Sequence, residues 1–450
     1  MSHNGVDHII RRDLWKAMKV ALVTSWPTRW CGIATYSLEL SRALENLGLD
    51  VNIVCHHDEP GLPPTGLSFE KGVLPKAVPC HYYENVERPG RIHPVINQLD
   101  PGWYLSLQEC VREVEPDVVH IQHEFGLYSL MTREGEFAFL PEDAFALVIP
   151  MFYWKVRRIP VVVTLHSVFT RLTFGETVYY DTMASLAHAL IVHEPYQKTA
   201  LEEMVGRRLD NVFVCPHGTL PDGIPETTRT CTISKWTEDR DAVIAGMIGW
   251  WEPNKGFERV IEMWPSVVKT AAETGHEVVL VIAGEVRPGS PTGPGYNEKV
   301  LRMVDASPAR DHIRLEFGRF SEEEYRAVLG SFDFLILPYT HASQSGNHAH
   351  AYGLGVPAVA SAIEGLKSSI EASGGGLLAE DDRALRERIL DMVRLPELRK
   401  ELAERAWKYA TEVISWSLVA ERHMEVYDWS VRMARDPSRY ARYLEQRVHV

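Results

Sequence analysis

From Lys19 onward, short runs of β-branched residues alternate with longer stretches whose apolar positions recur every three to four residues. That rhythm is the signature of strand–helix–strand units wound into a parallel sheet. Lys19 to Thr24 reads as a buried strand. Ile33, Tyr36, Leu40, Leu44 and Leu47 then mark one face of a helix that Gly48 stops, and Val51 to Val54 resumes as strand. Asp117 to Gln122, Pro160 to Thr164, Ala189 to Val192 and Val212 to Val214 continue the series. A polar stretch from Pro221 to Asp241 lacks strong periodicity and separates this half from a second α/β series. That series comprises Ala242 to Ile248, a helix carrying Phe257, Val260, Ile261 and Trp264, and strands at Val278 to Ala283, Ile313 to Phe317, Phe334 to Leu337 and Val356 to Ala360. After Ser415 the chain reads as helix. Its Trp416, Leu418, Met424, Tyr427 and Trp429 give more apolar surface than a free tail carries, so it is expected to pack back on the first domain.

The pattern predicts an α/β protein of two doubly wound domains. We place an N-terminal extension over 1–17, a first domain over 18–225, a second over 226–412 and C-terminal helices over 413–450. Two connections, His56 to Pro116 and Val286 to His312, are interrupted by Pro and Gly and are longer than their neighbours require, which marks them as functional loops. The run Phe152, Tyr153, Trp154, Lys155, Arg157 and Arg158 reads first as the end of an amphipathic helix on the core, and second as a contact for an acceptor or a membrane. The stretch from His8 to Lys16, with Ile9, Ile10, Leu14 and Trp15 among Arg11, Arg12 and Lys16, reads first as an N-terminal extension docking on the fold and second as a segment lying on a membrane surface.

Composition narrows the function classes. A chain of 450 residues is too long for one ordinary core. With 45% apolar and 24% charged residues it has a globular balance. Its formal charge of -14 repels a phosphate backbone, so nucleic acid is not an expected partner. The six cysteines are scattered without a C-x-x-C pair and with no secretory leader ahead of them, which fits a reducing cytoplasm, with the inner face of the membrane as the alternative location. No apolar run approaches the roughly 20 residues that cross a bilayer.

Open α/β sheets collect ligands at the carboxyl ends of their strands, and those ends are rich in chemistry here. After the first strand, TSWPTRWCGIATY puts Gly32 at the opening of a helix whose free N–H groups can face an anion. No G-x-G-x-x-G is present, which argues against a dinucleotide cofactor. Further strands end in histidine-bearing stretches: His120 with His123 and Glu124, His166, and His217 with Gly218. A lone histidine is more often structural, but repeated placement on one sheet edge weakens that reading. A zinc site is the rival; the His120/His123 spacing suits no common motif and no cysteine lies nearby in sequence. In the second half, Lys255 and Gly256 start a helix just beyond a strand, a good arrangement for a diphosphate, with a solvated lysine as the alternative. Ser343, Ser345, Gly346 and Asn347 precede another helix and can form an anion cradle or an ordinary cap. The D-x-D triplet at Asp239 to Asp241 lies before a strand, away from the strand ends, and is treated as chance.

In this order, the pieces resemble the retaining GT-B glycosyltransferases of family four, over Met18 to about Tyr427. The resemblance is carried by the CGIAT loop (Cys31 to Thr35), the IQHEFG segment (Ile121 to Gly126), the TLH strand end (Thr164 to His166) and the PHG turn (Pro216 to Gly218) as a set. It implies two Rossmann-like domains facing a central cleft, acceptor domain first and donor domain second, with the last helix crossing back. It also implies catalytic roles for His166 and Lys255. Donor contacts fall on Gly32, Trp250, Lys255, Gly284, Ser343, Ser345, Gly346 and Asn347, and acceptor contacts on His123, Glu124 and His217. No metal or other cofactor is required. Three positions depart from the family. Where it carries two glutamates eight positions apart, this chain has Ala342 and His350, and Trp250 replaces the arginine that accompanies the lysine. Each lost charge-assisted contact is worth roughly 1.5 to 3 kcal/mol. The serine-rich SQSG stretch is similar to a subgroup in which hydroxyls and main-chain donors take over, with Trp250 or Trp251 stacking on base or sugar.

The implied activity is transfer of a hexose, glucose or mannose, from a UDP- or GDP-sugar to a sugar, lipid-linked or small-molecule acceptor, with retention. Two enzyme rivals share the fold, a sugar-nucleotide epimerase and a phosphorylase. A rival of another class is a catalytically silent protein that binds carbohydrate or a partner transferase.

Overall fold

The computed structural model describes residues 18–26, 31–56, 91–129, 145–287, 290–436 and 438. They divide into two compact units: the chain up to Pro216 together with Val419 onward, and His217 to Leu418. The stretch His8 to Lys16 lies outside the described residues, as does part of the connection after His56.

The first unit is built on β1 (Lys19–Thr24), β2 (Asp50–His56), β3 (Ile92–Ile96), β4 (Val118–His123), β5 (Val161–Leu165), β6 (Ala189–Val192) and β7 (Val212–Val214), all parallel, in the order β3-β2-β1-β4-β5-β6-β7. Strands β4, β5 and β6 are buried at every position because helices cover both faces, which is why β5 and β6 read as near-continuous apolar runs rather than alternating ones, while β4 carries His120, Gln122 and His123 inside. The covering helices are α1 (Gly32–Asn46), α2 (Trp103–Val114), a single turn α3 (Phe125–Tyr128), α4 (Val148–Val156), α5 (Phe174–Leu186) and α6 (Pro195–Val205). Trp103, Trp154, Tyr128 and Tyr179 fill the core between them. The strand order reverses at β1/β4, so the carboxyl ends of these two strands open the crevice where the opening of α1 and the stretch after His123 lie.

The second unit begins with α7 (Glu226–Ile233), a short helix inside the stretch read as aperiodic. Its sheet holds β8 (Val243–Ile248), β9 (Val278–Gly284), β10 (Ile313–Phe317), β11 (Phe334–Leu337), β12 (Ala358–Ser361) and β13 (Gly376–Ala379), in the order β10-β9-β8-β11-β12-β13. The helices are α8 (Phe257–Glu273), α9 (Gly293–Asp305), α10 (Glu322–Gly330), α11 (Gly346–Gly353), α12 (Glu364–Ser373), α13 (Asp382–Arg394) and α14 (Pro396–Glu412). Here the order reverses at β8/β11, which brings the segments after Ile248 and after Leu337 to one edge. The last helix, α15 (Trp416–Arg435), returns to the first unit from Val419 onward, and its Trp429 ring lies 5.2 Å from that of Phe213 on β7.

Both long connections contain regular structure that the sequence pattern hid. β3 carries Pro94, which argues against a central strand, but β3 is the sheet edge, where a missing N–H costs no ladder bond. Helix α9 opens on Gly-Pro-Gly, and its proline falls in the first turn, where no intrahelical N–H is lost.

Candidate functional site

In the first unit, Gly32 is the first residue of α1. Cys31 at the N-cap makes no side-chain capping bond and the first turn holds no acid. Among the described residues, a Cβ at Gly32 would meet nothing within 4 Å. Across β4, β5 and the residue after β6 runs a buried polar chain. Nδ1 of His120 lies 2.7 Å from the Tyr427 hydroxyl and its Nε2 lies 2.8 Å from Thr164 Oγ1 and 3.1 Å from Gln122 Nε2. The Gln122 Oε1 is 2.9 Å from His166 Nε2, His166 Nδ1 is 3.2 Å from His193 Nε2, and His193 Nδ1 is 3.0 Å from the Cys215 carbonyl. Only a ring N–H can face that carbonyl, so His193 Nδ1 donates. If His193 is neutral its Nε2 accepts, and His166 Nδ1 is then a donor. His166 Nε2 therefore either donates to the Gln122 oxygen in a singly charged His166–His193 pair, or accepts from the Gln122 NH2 in an all-neutral chain with the amide turned over. Tyr36 closes the cluster, its ring edge-on to His166 at 4.9 Å and to His193 at 5.3 Å. His166 is 5% exposed, the one histidine of this chain that keeps any access above that of His120 and His193.

His123 stands apart from it. It is 1% exposed, stacked at 5.8 Å on Tyr128 and 2.8 Å from the Tyr179 hydroxyl, and burial pushes its pKa down to about 3. His123, expected as an acceptor contact, is here a buried histidine of the aromatic core. Glu124 next to it caps α3 by accepting from the Phe125 N–H at 3.2 Å and takes a short bond from the Ser167 hydroxyl, while its side chain stays half-buried.

In the second unit, Lys255 ends a 3-10 turn over Pro253–Lys255, directly before α8. Gly256 there has φ +64°, and a Cβ on it would stand 2.2 Å from the Pro338 carbonyl oxygen. Glycine is thus required for the turn to nest against the segment after β11. The Thr340 N–H donates to the Asn254 carbonyl at 3.0 Å, and the Lys255 ammonium sits 4.0 Å from the centre of the Tyr339 ring. Gly249 and Gly284 meet backbone to backbone at the ends of β8 and β9: a Cβ on Gly284, at φ +123°, would lie 2.0 Å from the Gly249 oxygen. Ser345 caps α11, accepting from the His348 N–H at 3.3 Å, and Ser343 is buried. Asn347 donates its amide to the Ile248 carbonyl at 2.6 Å and accepts from the Tyr325 hydroxyl at 3.0 Å. Its polar ends therefore tie α11 to β8, which makes it a brace within the site.

His217 belongs to this second unit rather than to the acceptor-side residues with which the sequence reading grouped it. Its Nδ1 donates to the Gly218 carbonyl at 2.8 Å, its Nε2 would lie 3.2 Å from a Cβ on Gly346, and its ring is edge-on to His350 at 5.5 Å. The position of the second family glutamate is thus occupied by an imidazole packed between His217 and Tyr325. Burial holds His350 and His348 down to about 3 and His217 to about 4, with the neighbouring rings adding to it for the first two, so the cluster is neutral. Trp251 is fully buried among Phe257 and Phe317, which rules it out as a stacking partner; Trp250 is half-exposed and keeps that option. Asp239 and Asp241 are exposed and bonded to each other through a turn. Among the described residues, no three His, Cys, Asp or Glu side chains are grouped to hold a metal ion.

Gln122, His193 and Tyr339 are site residues the sequence reading passed over. His193 follows β6 as the other histidines follow their strands, so the strand-end rule would have found it. Tyr339 touches Lys255 only through the fold.

Two family models match the chain: a glycosyl transferase 4-like domain over residues 31–219 and glycosyl transferases group 1 over residues 229–409. D-inositol 3-phosphate glycosyltransferase 2 of Catenulispora acidiphila is 20% identical over 411 residues, 89% of this chain and 90% of that protein. The D-inositol 3-phosphate glycosyltransferase of Thermobispora bispora is 21% identical over 417 residues, 88% of this chain and 89% of its own. The crystal structure of Anabaena HepE with UDP and glucose is similar with a TM-score of 0.67 at 12% identity, over 91% of this chain and 99% of that one. Sucrose-phosphate synthase of Thermosynechococcus elongatus gives a TM-score of 0.64 at 16% identity, over 91% and 98%. The fold is therefore GT-B, and the chain carries a glycosyl transferase 4-like domain in its first half and a glycosyl transferases group 1 domain in its second.

Proposed function

We propose that this protein transfers a hexose from a nucleoside diphosphate sugar to an acceptor hydroxyl with retention and without a metal ion. The observation that carries the reading is the edge of the second sheet at β8/β11. There a lysine ammonium, the glycine-lined ends of β8 and β9 and the N-terminus of α11 converge. Breaking the bond from the anomeric carbon to the diphosphate oxygen leaves negative charge on that oxygen. Lys255 and the α11 N–H groups are fixed donors for that charge, needing no reorganisation as it builds. The acceptor oxygen attaches on the face the diphosphate leaves, and the departing phosphate oxygen takes the acceptor's proton. The hydroxyls of Ser343 and Ser345, with Gly284 and Gly346, line the donor, and Trp250 offers a face to base or sugar. In the first unit, the α1 opening at Gly32 is a second anion contact, His166 orients a sugar or acceptor hydroxyl, and Glu124 is the accessible acceptor-side carboxylate. The acceptor is a sugar, a lipid-linked sugar or a small polyol.

UDP is the first donor nucleotide to try, since the similar HepE was crystallised with UDP and glucose. The test is thermal stabilisation by UDP-, GDP-, ADP- and TDP-sugars with and without EDTA, because a ligand bound only by the folded chain raises its apparent stability by mass action. A shift from one nucleotide that survives EDTA is expected. The neutral His217–His350 pair, in place of a carboxylate, favours a second reading, a silent carbohydrate-binding relative. No shift from any donor would transfer the conclusion to it.

A further inference from the structure

Six of the ten large apolar side chains that stand exposed among the described residues come from three helices that pack side by side, α2, α4 and α5. Helix α4 is the centre. Ile149, Phe152 and Val156, spaced three and four apart on one face, are 49%, 60% and 65% exposed, while Met151 and Trp154 on the opposite face are fully buried. Its neighbour α5 adds Phe174 at 86% and Val178 at 40%, one turn apart, and α2 adds Leu105 at 58%. Single exposed apolar residues are ordinary; a stripe on one helix continued by both flanking helices marks a binding face.

The charge around the stripe says what it binds. Phe145 to Pro160 holds Lys155, Arg157 and Arg158 and no acidic residue, in a chain whose formal charge is -14; of the acids on the flanking helices, Glu109 and Asp181 are paired with Arg112 and Arg207 and Glu176 caps its own helix, while Glu113 and Glu115 lie on the α2 side. Arg157 and Arg158 are exposed at the end of α4, Arg157 lying 5.7 Å from the centre of the Tyr153 ring, while the Lys155 ammonium donates to the Ser185 carbonyl on α5. The groove between α2 and α4 at that same end mixes apolar Val111 and Ile159 with Gln108, Arg112, Tyr153 and Arg157, and carries one acid, Glu115. At nine residues α4 is about 13 Å long, far short of a bilayer, and among the described residues no helix is long and apolar enough to cross one. An apolar stripe with tyrosine and arginines at one end suits a helix lying in the plane of the surface.

We infer that this face of the first unit docks on an anionic lipid bilayer, with Ile149, Phe152, Val156 and Phe174 entering the headgroup–acyl boundary and Arg157 and Arg158 meeting lipid phosphates. The inference is independent of the glycosyl-transfer reading, since vesicle binding and donor stabilisation are separate measurements.

The experiment is co-sedimentation of the full chain with vesicles of phosphatidylcholine alone and with one third phosphatidylglycerol, at low and high salt. Wild type is expected to pellet with the anionic vesicles at low salt and much less with the neutral ones. Phe152→Ser with Val156→Ser, both at exposed positions, is expected to lower the partition about tenfold at an unchanged melting temperature. Arg157→Gln with Arg158→Gln is expected to remove the preference for phosphatidylglycerol. Failure of wild type to pellet with either vesicle would overturn the inference, as would full binding by both double variants. So would concentration-dependent self-association, in the absence of vesicle binding, that Phe152→Ser abolishes; the face would then join two copies of the chain.

Discussion

The Lys255 ammonium over the Tyr339 ring is the contact on which most of the proposed chemistry turns. A lysine on a four-carbon stem is a mobile point charge, and the ring face gives it one preferred place just before α8. Lys255→Ala is expected to reduce kcat by about 100- to 1,000-fold, the usual loss for one preorganised donor to a developing oxyanion, with the fold intact. Tyr339 separates holding from structure. Its hydroxyl is buried without a partner, so Tyr339→Phe keeps the ring face and sheds only an unsatisfied group, leaving kcat near wild type. Tyr339→Leu removes the face and should lower kcat by about 2- to 30-fold, the range of a cation–π contact. Steady-state kinetics on the three variants check this ordering; equal rates for Tyr339→Leu and wild type would show that the ring does not position the lysine. The lysine was legible in the sequence because it follows a strand and precedes a glycine and a helix. The tyrosine was not, because nothing local distinguishes it from the buried aromatics of any strand end.

At the scale of elements, the start of α11 shows how the site is braced. Asn347 joins α11 to the end of β8 through Ile248 and to α10 through Tyr325, whereas Ser345 only caps its own helix. Ser345→Ala is expected to cost about 1 kcal/mol, the ordinary worth of an N-cap. Asn347→Ala leaves the Ile248 carbonyl and the Tyr325 hydroxyl unmatched and should cost about 1 to 3 kcal/mol, with a higher donor KM because α11 loses its register against β8. Urea unfolding ranks the two, and a smaller loss at Asn347 than at Ser345 would contradict the brace. The same elements define what the sequence disclosed. Buried strands and long amphipathic helices were readable because burial on both faces or on one stripe imposes a local pattern. Edge strand β3 and helix α9 were masked by prolines whose tolerance depends on their place in the fold. His123 and His166 sit at the ends of successive strands and look alike in sequence. Whether such a ring points into an aromatic core or along the sheet edge is decided by Tyr128, Tyr179, Gln122 and His193.

Across the whole molecule, histidines are kept neutral inside both units, and this sets how the fold responds to acid. His120, His123, His348 and His423 are each at most 5% exposed; burial pushes His123 and His348 down to about 3, His423 to about 4 and His120 well below the ordinary range. In the unfolded chain the same rings take up a proton near pH 6.5. Between about pH 6.5 and 4 the unfolded state therefore binds more protons than the folded one, and stability falls as pH drops; above about pH 7.5 both states are neutral and the contribution is flat. The upper part of this window belongs to histidine, since carboxylates in the unfolded chain titrate near 4. Each buried ring contributes on the order of 1 kcal/mol per pH unit, so four give an acid sensitivity that surface histidines would not produce. With His188, His217 and His350 also held at about 3 to 4, calorimetry at pH 5.5 in two buffers of different ionisation enthalpy is expected to show about six protons taken up on unfolding, and almost none by histidine at pH 8. The melting temperature should fall steadily from pH 7 to pH 5. A melting temperature that stays level over that interval would mean that these rings are hydrated or already charged in the folded chain. The neutral state of His120 and His123 in the first unit and of the cluster beside α11 would then both have to be redrawn.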